Sequence, residues 1–254
     1  MHLDVIALRN FYYASPLGRL AQRTLQAHLR GMWPDVRAMN VVGFGFAAPL
    51  LRPFMEEAER TLCLMPAQQG VCPWPGEGPN VSALVEETLW PLPTGFADRV
   101  IVAHGLETCE RPHGLIEEIA RVLAPSGRAV FLVPNRSGLW ARRDATPFGF
   151  GRPYSMGQLE RALTAHQLSI ETEGAALYMP PSHRRFWRRV APALERLGQR
   201  LDARRFAGVS IVEAAKLVLI SPHSGARQAA KEPIRVLEGL SPAPKPAAGR
   251  VWRA

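Results

Sequence analysis

The chain has few cysteines and no apolar run long enough to cross a membrane. Its three cysteines, Cys63, Cys72 and Cys109, match no zinc-binding spacing, and their odd number argues against a disulfide framework. No stretch approaches the ~20 uninterrupted apolar residues of a membrane-spanning helix. Asp4 and Arg9 interrupt the apolar core that a signal peptide would need. Together these absences favour a protein of the reducing cytoplasm that holds no structural metal.

The composition is that of an ordinary globular domain with an excess of positive charge. Of the 254 residues, 47% are hydrophobic, enough for a sizeable core, and the formal net charge is +9. This charge suggests acidic partners, such as nucleic acid, an anionic membrane or an anionic substrate. Most of it comes from arginine, whose codons a high-GC bacterial genome also favours, so the charge alone selects no partner.

Apolar and amphipathic segments alternate along the chain. Strands are expected at residues 39–43, 61–65, 80–85, 100–103, 129–133, 168–177 and 208–220. Helices are expected at residues 16–30, 112–123, 155–165 and 183–205, and a first crossover helix is expected to end at Arg60. This alternation predicts an α/β fold with a parallel sheet, in a domain that spans residues 1–222. Residues 223–254 are rich in Pro, Ala, Lys and Arg and are expected to form a disordered tail.

A glycine-containing turn follows the first buried strand. Gly43, Phe44 and Gly45 belong to the run that begins at Met39, and a helix-compatible segment follows. Glycine accepts positive φ angles and has no Cβ, so such a loop can approach a nucleotide-like ligand closely. The same pattern also forms a plain tight turn between a strand and a helix, and both interpretations stay open.

A long motif occupies the middle of the chain. It reads WPLPTGFADRVIVAHGLETCERPHGLIEEIARVLAPSGRAVFLVPN, from Trp90 to Asn135, and combines a proline-rich turn, a buried strand, an amphipathic helix and the start of the next strand. The chain resembles class I S-adenosylmethionine-dependent methyltransferases, especially the ubiquinone-biosynthesis-like small-molecule group, over roughly residues 11–220. The resemblance implies a Rossmann-like fold with a mostly parallel seven-stranded sheet, helices on both faces, and S-adenosylmethionine as the cofactor.

The resemblance also implies where the cofactor would bind, at the carboxyl ends of the first strands. The glycine turn would wrap the methionine part, and Glu86 would accept the adenine amino group. His104, just after the fourth strand, would face the methionyl end and the substrate, where it is the leading candidate for a general base. The implied cofactor-binding residues are Gly43, Phe44, Gly45, Met65, Pro66, Gln68, Glu86 and His104.

Three positions depart from the family's pattern. Val41 stands where an acid usually precedes the first loop glycine, and Ala47 replaces the third glycine. The acid that usually holds the ribose hydroxyls after the second strand is absent, with only Gln68 and Gln69 nearby. A buried polar group without its partner costs about 1–3 kcal/mol. An alternative is therefore a catalytically inactive methyltransferase-fold protein with a binding or regulatory role.

The loop at residues 136–154 has the composition of a substrate-covering segment. It combines aromatic residues, among them Trp140 and Tyr154, with several arginines, and Asn135 precedes it. Ordered loops of this length are usually functional. We expect Asn135, Trp140 and Tyr154 to contact a small-molecule acceptor of anionic or amphipathic character. In the alternative interpretation, the aromatic side chains only pin the loop to the domain and Asn135 closes a turn.

The segment at residues 183–205 is the strongest electrostatic feature, because arginine fills most of its polar positions. Its apolar residues recur at helical spacing and are Phe186, Val190, Leu194, Leu197 and Leu201. Such a helix can bind nucleic-acid phosphates or an anionic bilayer, and a nucleic-acid-modifying methyltransferase is a weaker alternative function. We favour a surface helix that covers one edge of the sheet and directs its arginines outward.

Overall fold

The fold is built on one seven-stranded sheet. The computed structural model describes residues 3–142 and 146–217. The strands are β1 Asn40–Gly45, β2 Arg60–Pro66, β3 Ser82–Val85, β4 Ala97–Ala103, β5 Leu123–Pro134, β6 Leu168–Ala176 and β7 Val209–Lys216, in the spatial order β3-β2-β1-β4-β5-β7-β6. Strands β1 to β5 are parallel, and β7 runs antiparallel to β5 and β6. The predicted fold class is therefore confirmed.

Helices cover both faces of the sheet. They are α1 Val5–Arg9, α2 Pro16–Met32, α3 Ala48–Leu51, α4 Pro112–Val122, α5 Met156–Thr164 and α6 Arg185–Arg200. Successive strand residues point to opposite faces, so Val41 joins the core under α2 and α3 while Val42 joins the core under α4 and α5. Helix α2 begins where predicted because Ser15 Oγ accepts a hydrogen bond from Gly18 N at 2.8 Å.

The first crossover is shorter than predicted. Instead of a helix that reaches Arg60, the chain forms the single turn of α3 and a 3-10 turn at residues 52–54. Pro53 has no N–H to donate to the carbonyl of Pro49, so the α-helical ladder stops there. That carbonyl accepts a hydrogen bond from Gln26 Nε2 of α2 at 2.7 Å instead. Helix α2 is therefore hydrogen-bonded directly to the short crossover segment.

The N-terminal segment folds back onto the carboxyl end of the sheet. Asp4 caps α1 by accepting a hydrogen bond from Ala7 N, and a π-helical turn at residues 10–14 links α1 to α2. Val5 N donates to the carbonyl of Gln69, just after β2, at 2.8 Å. This attachment fixes Tyr12 of the π-helical turn close to the ends of the central strands.

The domain boundary expected at residue 222 and the tail expected at residues 223–254 lie outside the residues that the structure describes. None of the helices in the described ranges has the length and apolar content needed to cross a bilayer. Within the same ranges, no group of three or more His, Cys, Asp or Glu side chains is arranged to hold a metal ion.

Candidate functional site

The candidate site lies where β1 and β4 end side by side. The strand order reverses between these two strands, and open α/β sheets bind ligands at such a switch point. The loop that follows β4 is buried at every position from His104 to Cys109 except the half-buried Thr108. Its polar side chains are therefore held away from bulk water.

The glycine turn forms one wall of this site. Gly45 has a φ of +78°, and a Cβ there would meet the carbonyl oxygen of Ala103 and the backbone of Gly105. The ladder between β1 and β4 continues one step further, because Phe46 N donates to the Ala103 carbonyl at 2.8 Å. A side chain at position 45 would force the two strand ends apart, so this glycine fixes the distance between them.

His104 is the first residue after β4 and adopts a left-handed backbone conformation, with φ of +52°. For a non-glycine residue this conformation costs about 1–3 kcal/mol and persists where the surroundings enforce it, often at functional sites. The imidazole is 1% exposed. Its Nε2 lies 2.7 Å from the Tyr12 hydroxyl, and its Nδ1 lies 3.3 Å from Glu107 Oε1. Two distant parts of the chain therefore converge on this ring.

Glu107 is the unsatisfied member of the group. Its side chain is almost fully buried, yet neither carboxyl oxygen completes a hydrogen bond with a described residue, and neither does His104 Nδ1. Buried polar groups in native proteins are nearly always paired, and a buried charge without a partner is costly. These atoms therefore mark a place where a ligand or water would complete the structure.

Tyr12 brings a protonated hydroxyl to this group. Burial, and then the charge of Glu107, raise the pKa of Tyr12 well above its ordinary value, so its hydroxyl stays protonated. The hydroxyl lies 2.7 Å from His104 Nε2, and the other ring nitrogen, Nδ1, faces Glu107 Oε1 at 3.3 Å. Tyr12, His104 and Glu107 thus form a line along which a proton can move.

Aromatic rings pack against Tyr12 and His104, next to Glu107. Phe46 stacks on Tyr12 with centroids 5.9 Å apart, and Phe148 lies against His104 at 4.7 Å. Phe11 packs edge-on against both Tyr12 and Phe148. A buried carboxyl group among aromatic faces suits a positively charged ligand, which gains from both.

The predicted residues of β1 and β2 lie around this centre rather than within it. Gly43 is buried inside β1, and Phe44 stacks on Trp90 at 4.9 Å on the opposite face of the sheet from Tyr12. Met65 and Pro66 are buried at the end of β2. None of these four residues belongs to the group formed by Tyr12, His104 and Glu107.

Of the two glutamines after β2, Gln69 reaches the site and Gln68 does not. Gln68 is exposed, whereas Gln69 is buried and its Nε2 donates to the carbonyl of His104 and to Thr108 Oγ1. The side chain therefore bridges the ends of β2 and β4, over the place where the family's ribose-binding acid would stand.

Glu86 is exposed in the turn after β3, while its neighbour Glu87 is buried. Glu87 Oε2 lies 3.1 Å from Cys109 Sγ and accepts a hydrogen bond from Glu110 N at 3.2 Å. Glu87 thus holds the loop after β4, and the Glu86 carboxyl group has no partner at the site within the described chain.

The three predicted substrate residues differ in their surroundings. Asn135 donates to two backbone carbonyls of the segment before β7 and accepts from Ser137 N, so it closes a turn. Trp140 is fully buried, and its Nε1 donates to the Met179 carbonyl at 2.7 Å. Tyr154 is half-buried, and burial followed by the charge of Glu107 raises its pKa. Of the three, Tyr154 is the one whose pKa the charge of Glu107 affects.

Sequence reasoning missed Tyr12 and Glu107. Glu107 follows His104 by three residues, a spacing that a search for acids near the candidate base would have found. Tyr12 lies 92 positions before His104, and nothing in its local sequence indicates the contact.

A cavity of about 330 Å³ opens beside Phe46, next to the buried group. The residues that line it include Arg9, Arg52, Tyr13 and Trp74. Positive charge beside aromatic surface suits an anionic small molecule with an apolar part.

Comparison with known proteins agrees with this architecture. A family model described as "Methyltransferase domain" matches residues 47–131, from α3 into β5. No curated protein matches the chain. An S-adenosylmethionine-dependent methyltransferase from Archaeoglobus fulgidus is 18% identical with a TM-score of 0.54, over 84% of this chain and 100% of that one. One from Mesorhizobium loti is 17% identical with a TM-score of 0.53, over 75% of this chain and 96% of that one.

The fold is thus that of class I methyltransferases. The family match covers residues 47–131, and the two similar structures are methyltransferases whose cofactor is S-adenosylmethionine. The matches do not distinguish the ubiquinone-biosynthesis-like group. The [4+2]-cyclase SpnF shares the fold at 18% identity, with a TM-score of 0.54 over 82% of this chain and 84% of that one, so the fold alone does not specify the reaction.

The residues of the site fit the cationic end of this cofactor. The sulfonium is positively charged, and it suits the Glu107 carboxyl group, which completes no hydrogen bond within the described residues, and the rings beside Tyr12 and His104. The ribose end is different, because the end of β2 offers Met65 and Pro66 where a carboxylate would hold the hydroxyls. Gln69 is the polar side chain nearest to that role.

Proposed function

We propose that the protein transfers the methyl group of S-adenosylmethionine to a small-molecule acceptor at the Tyr12–His104–Glu107 group. The single observation that supports this proposal is the buried carboxyl group of Glu107, which lies 3.3 Å from His104 Nδ1 at the switch point of the sheet and completes no hydrogen bond within the described residues. The cofactor supplies a methyl group activated for in-line displacement. The protein's contribution is to align the acceptor and to remove its proton.

His104 is the proposed base, acting through Tyr12. In the tautomer with its proton on Nδ1, His104 accepts from the Tyr12 hydroxyl at Nε2, so an acceptor hydroxyl or amine that donates to the phenol oxygen can lose its proton along this line. Glu107 stabilises the imidazolium that results, since its carboxyl oxygen lies 3.3 Å from Nδ1. Aromatic packing around the group excludes water and strengthens these interactions.

The acceptor is proposed to be anionic. The cavity beside Phe46 presents Arg9 and Arg52, which favour a carboxylate or phosphate, and Tyr13 and Trp74, which favour an apolar or aromatic body. The free thiols of Cys63, Cys72 and Cys109 support a reducing, cytoplasmic setting for such a metabolite.

Calorimetric titration with S-adenosylmethionine and S-adenosylhomocysteine tests the proposal. We expect saturable binding of both, with affinity for S-adenosylmethionine at least about tenfold lower in Glu107→Gln because the carboxyl charge opposite the cation is lost. S-adenosylhomocysteine has no positive charge, so its affinity should change much less. Glu110 is a nearby exposed glutamate, so Glu110→Gln is the matched control. This variant should bind both ligands as the wild type does.

A binding or regulatory role without turnover is the second candidate. It is favoured by the missing ribose-binding acid and by the Gln69 bridge between the ends of β2 and β4. The absence of heat with either ligand, for protein shown to be folded by circular dichroism, would support this role and would reject the proposed methyl transfer.

A further inference from the structure

Helix α6 exposes the apolar residues that were expected to cover the sheet. Phe186, Leu197 and Leu201 are 62%, 52% and 68% exposed, and Val190 between them is half-buried. These four residues, called here the α6 stripe, follow one another by four, seven and four positions. That spacing places them along one side of the helix. Leu194, the fifth apolar residue predicted for this side, is half-buried and packs against the core, so most but not all of the predicted apolar side faces outward.

The helix is attached to the domain through its other side. Ala191 and Gly198 are buried there, and Gly198 packs directly on the ring of Tyr178. Glu195 accepts from Tyr178 N at 3.2 Å and lies 3.1 Å from His28 Nε2 of α2. Small residues and a polar tether hold α6 in place, and this leaves the α6 stripe directed outward.

Arginines line one border of the α6 stripe. Arg185, Arg189, Arg196 and Arg200 are all exposed and recur at helical spacing beside it. None of the four forms an ion pair with another residue of the described ranges. An apolar stripe beside a row of uncompensated positive charge is the pattern of helices that lie in the plane of a membrane surface.

We propose that α6 docks the protein onto an anionic lipid bilayer, with the α6 stripe inserted among the acyl chains and the flanking arginines on the lipid phosphates. Charge complementarity selects this occupant. A second copy would bring the same arginines against these, and residues 223–254 carry six Lys or Arg against two Glu. Nucleic acid would match the arginines but would leave Phe186, Leu197 and Leu201 in water. A bilayer would contact both the α6 stripe, through its acyl chains, and the arginines, through its phosphates.

Co-sedimentation of the full chain with vesicles tests this docking. We compare vesicles of phosphatidylcholine alone with vesicles of phosphatidylcholine mixed with phosphatidylglycerol. The wild type should bind the mixed vesicles and bind neutral ones at least about tenfold more weakly, because each arginine near an anionic surface adds to the attraction. Leu197→Ser/Leu201→Ser and Arg189→Glu/Arg200→Glu should each lower binding to mixed vesicles at least about tenfold.

Matched variants elsewhere serve as controls. Leu89→Ser replaces a leucine that is 71% exposed in the turn after β3, and Arg161→Glu replaces an exposed arginine on α5. Both should bind mixed vesicles as the wild type does, and circular dichroism should show all variants folded.

Two results would overturn the proposal. If the leucine variant binds mixed vesicles as tightly as the wild type while the arginine variant does not, the surface recognises a polyanion rather than a bilayer. If both variants retain wild-type binding, some other basic part of the chain carries it. Neither result bears on binding of S-adenosylmethionine, since α6 contributes no residue to the Tyr12–His104–Glu107 group.

Discussion

Two buried glutamates occupy opposite situations in this molecule. Glu213 of β7 is 3% exposed, and its carboxyl oxygens accept from Trp33 Nε1 at 2.7 Å and from Arg128 at 3.3 Å. Glu107, after β4, is 2% exposed, and its oxygens complete no hydrogen bond within the described residues. The acid that holds the strands together accepts from two donors, whereas the acid at the switch point faces His104 Nδ1 at 3.3 Å and completes no hydrogen bond within the described residues. This difference makes Glu107 the candidate for a functional rather than a structural acid.

The largest effect should come from removing the satisfied acid. Glu213→Ala is expected to lower the free energy of unfolding by about 3 kcal/mol, because the buried Trp33 N–H loses its acceptor. Arg128 is partly exposed and adds little to this loss. Urea denaturation followed by circular dichroism measures it. A loss below about 1 kcal/mol would mean that Glu213 is no better compensated than Glu107.

Removing the Tyr12 hydroxyl should have the next largest effect. Tyr12→Phe is expected to lower the free energy of unfolding by about 1.5 kcal/mol, because buried His104 Nε2 is left without its hydrogen-bond partner. Tyr154→Phe, at a half-buried position, is the matched control and should stay within about 0.5 kcal/mol of the wild type. Equal losses in the two variants would contradict a specific Tyr12–His104 bond.

Replacing the unsatisfied acid should not destabilise the protein. Glu107→Gln is expected to leave the free energy of unfolding unchanged or to raise it by up to about 1 kcal/mol, because the amide oxygen of Gln can still face His104 Nδ1 and a buried charge is removed. The same denaturation experiment, without ligand, measures it. A loss as large as that of Glu213→Ala would show that Glu107 is a structural residue.

The smallest effect is a loss of stability at alkaline pH. The pKa of Tyr12 is raised in the folded state. The stability that the buried, protonated phenol contributes is therefore complete below the unfolded-state pKa of about 10 and is lost as pH rises above that value. Between pH 9.5 and 10.5, the wild type should lose about 0.7 kcal/mol more than Tyr12→Phe. Parallel pH dependence of the two proteins would contradict the burial of the phenol.

The regular half of the fold could be predicted from sequence because its signals are local. The apolar run at residues 100–103 and the helical spacing of Leu115, Ile116 and Ile119 each specify one element without reference to the rest of the chain. The length of the crossover after β1 was mispredicted, although Pro53 was visible and explains it.

The candidate site could be predicted only in part. The position of His104 at the end of a buried strand indicated its place at the ligand-binding edge. Its contact with Tyr12 could not be seen, because it joins segments that are distant in sequence. Helix α6 illustrates a further limit, since periodicity detects an apolar side but does not tell which side of the helix the domain holds. That choice depends on Ala191, Gly198 and Glu195.

Gly198 determines how helix α6 is oriented on the domain. A methyl group at this position would overlap the ring of Tyr178, so the backbone of α6 rests on that ring at the closest distance two such surfaces allow. Rotation of α6 about its long axis would break this contact between Gly198 and Tyr178. The absence of a side chain at Gly198 therefore determines the direction in which each arginine of α6 points.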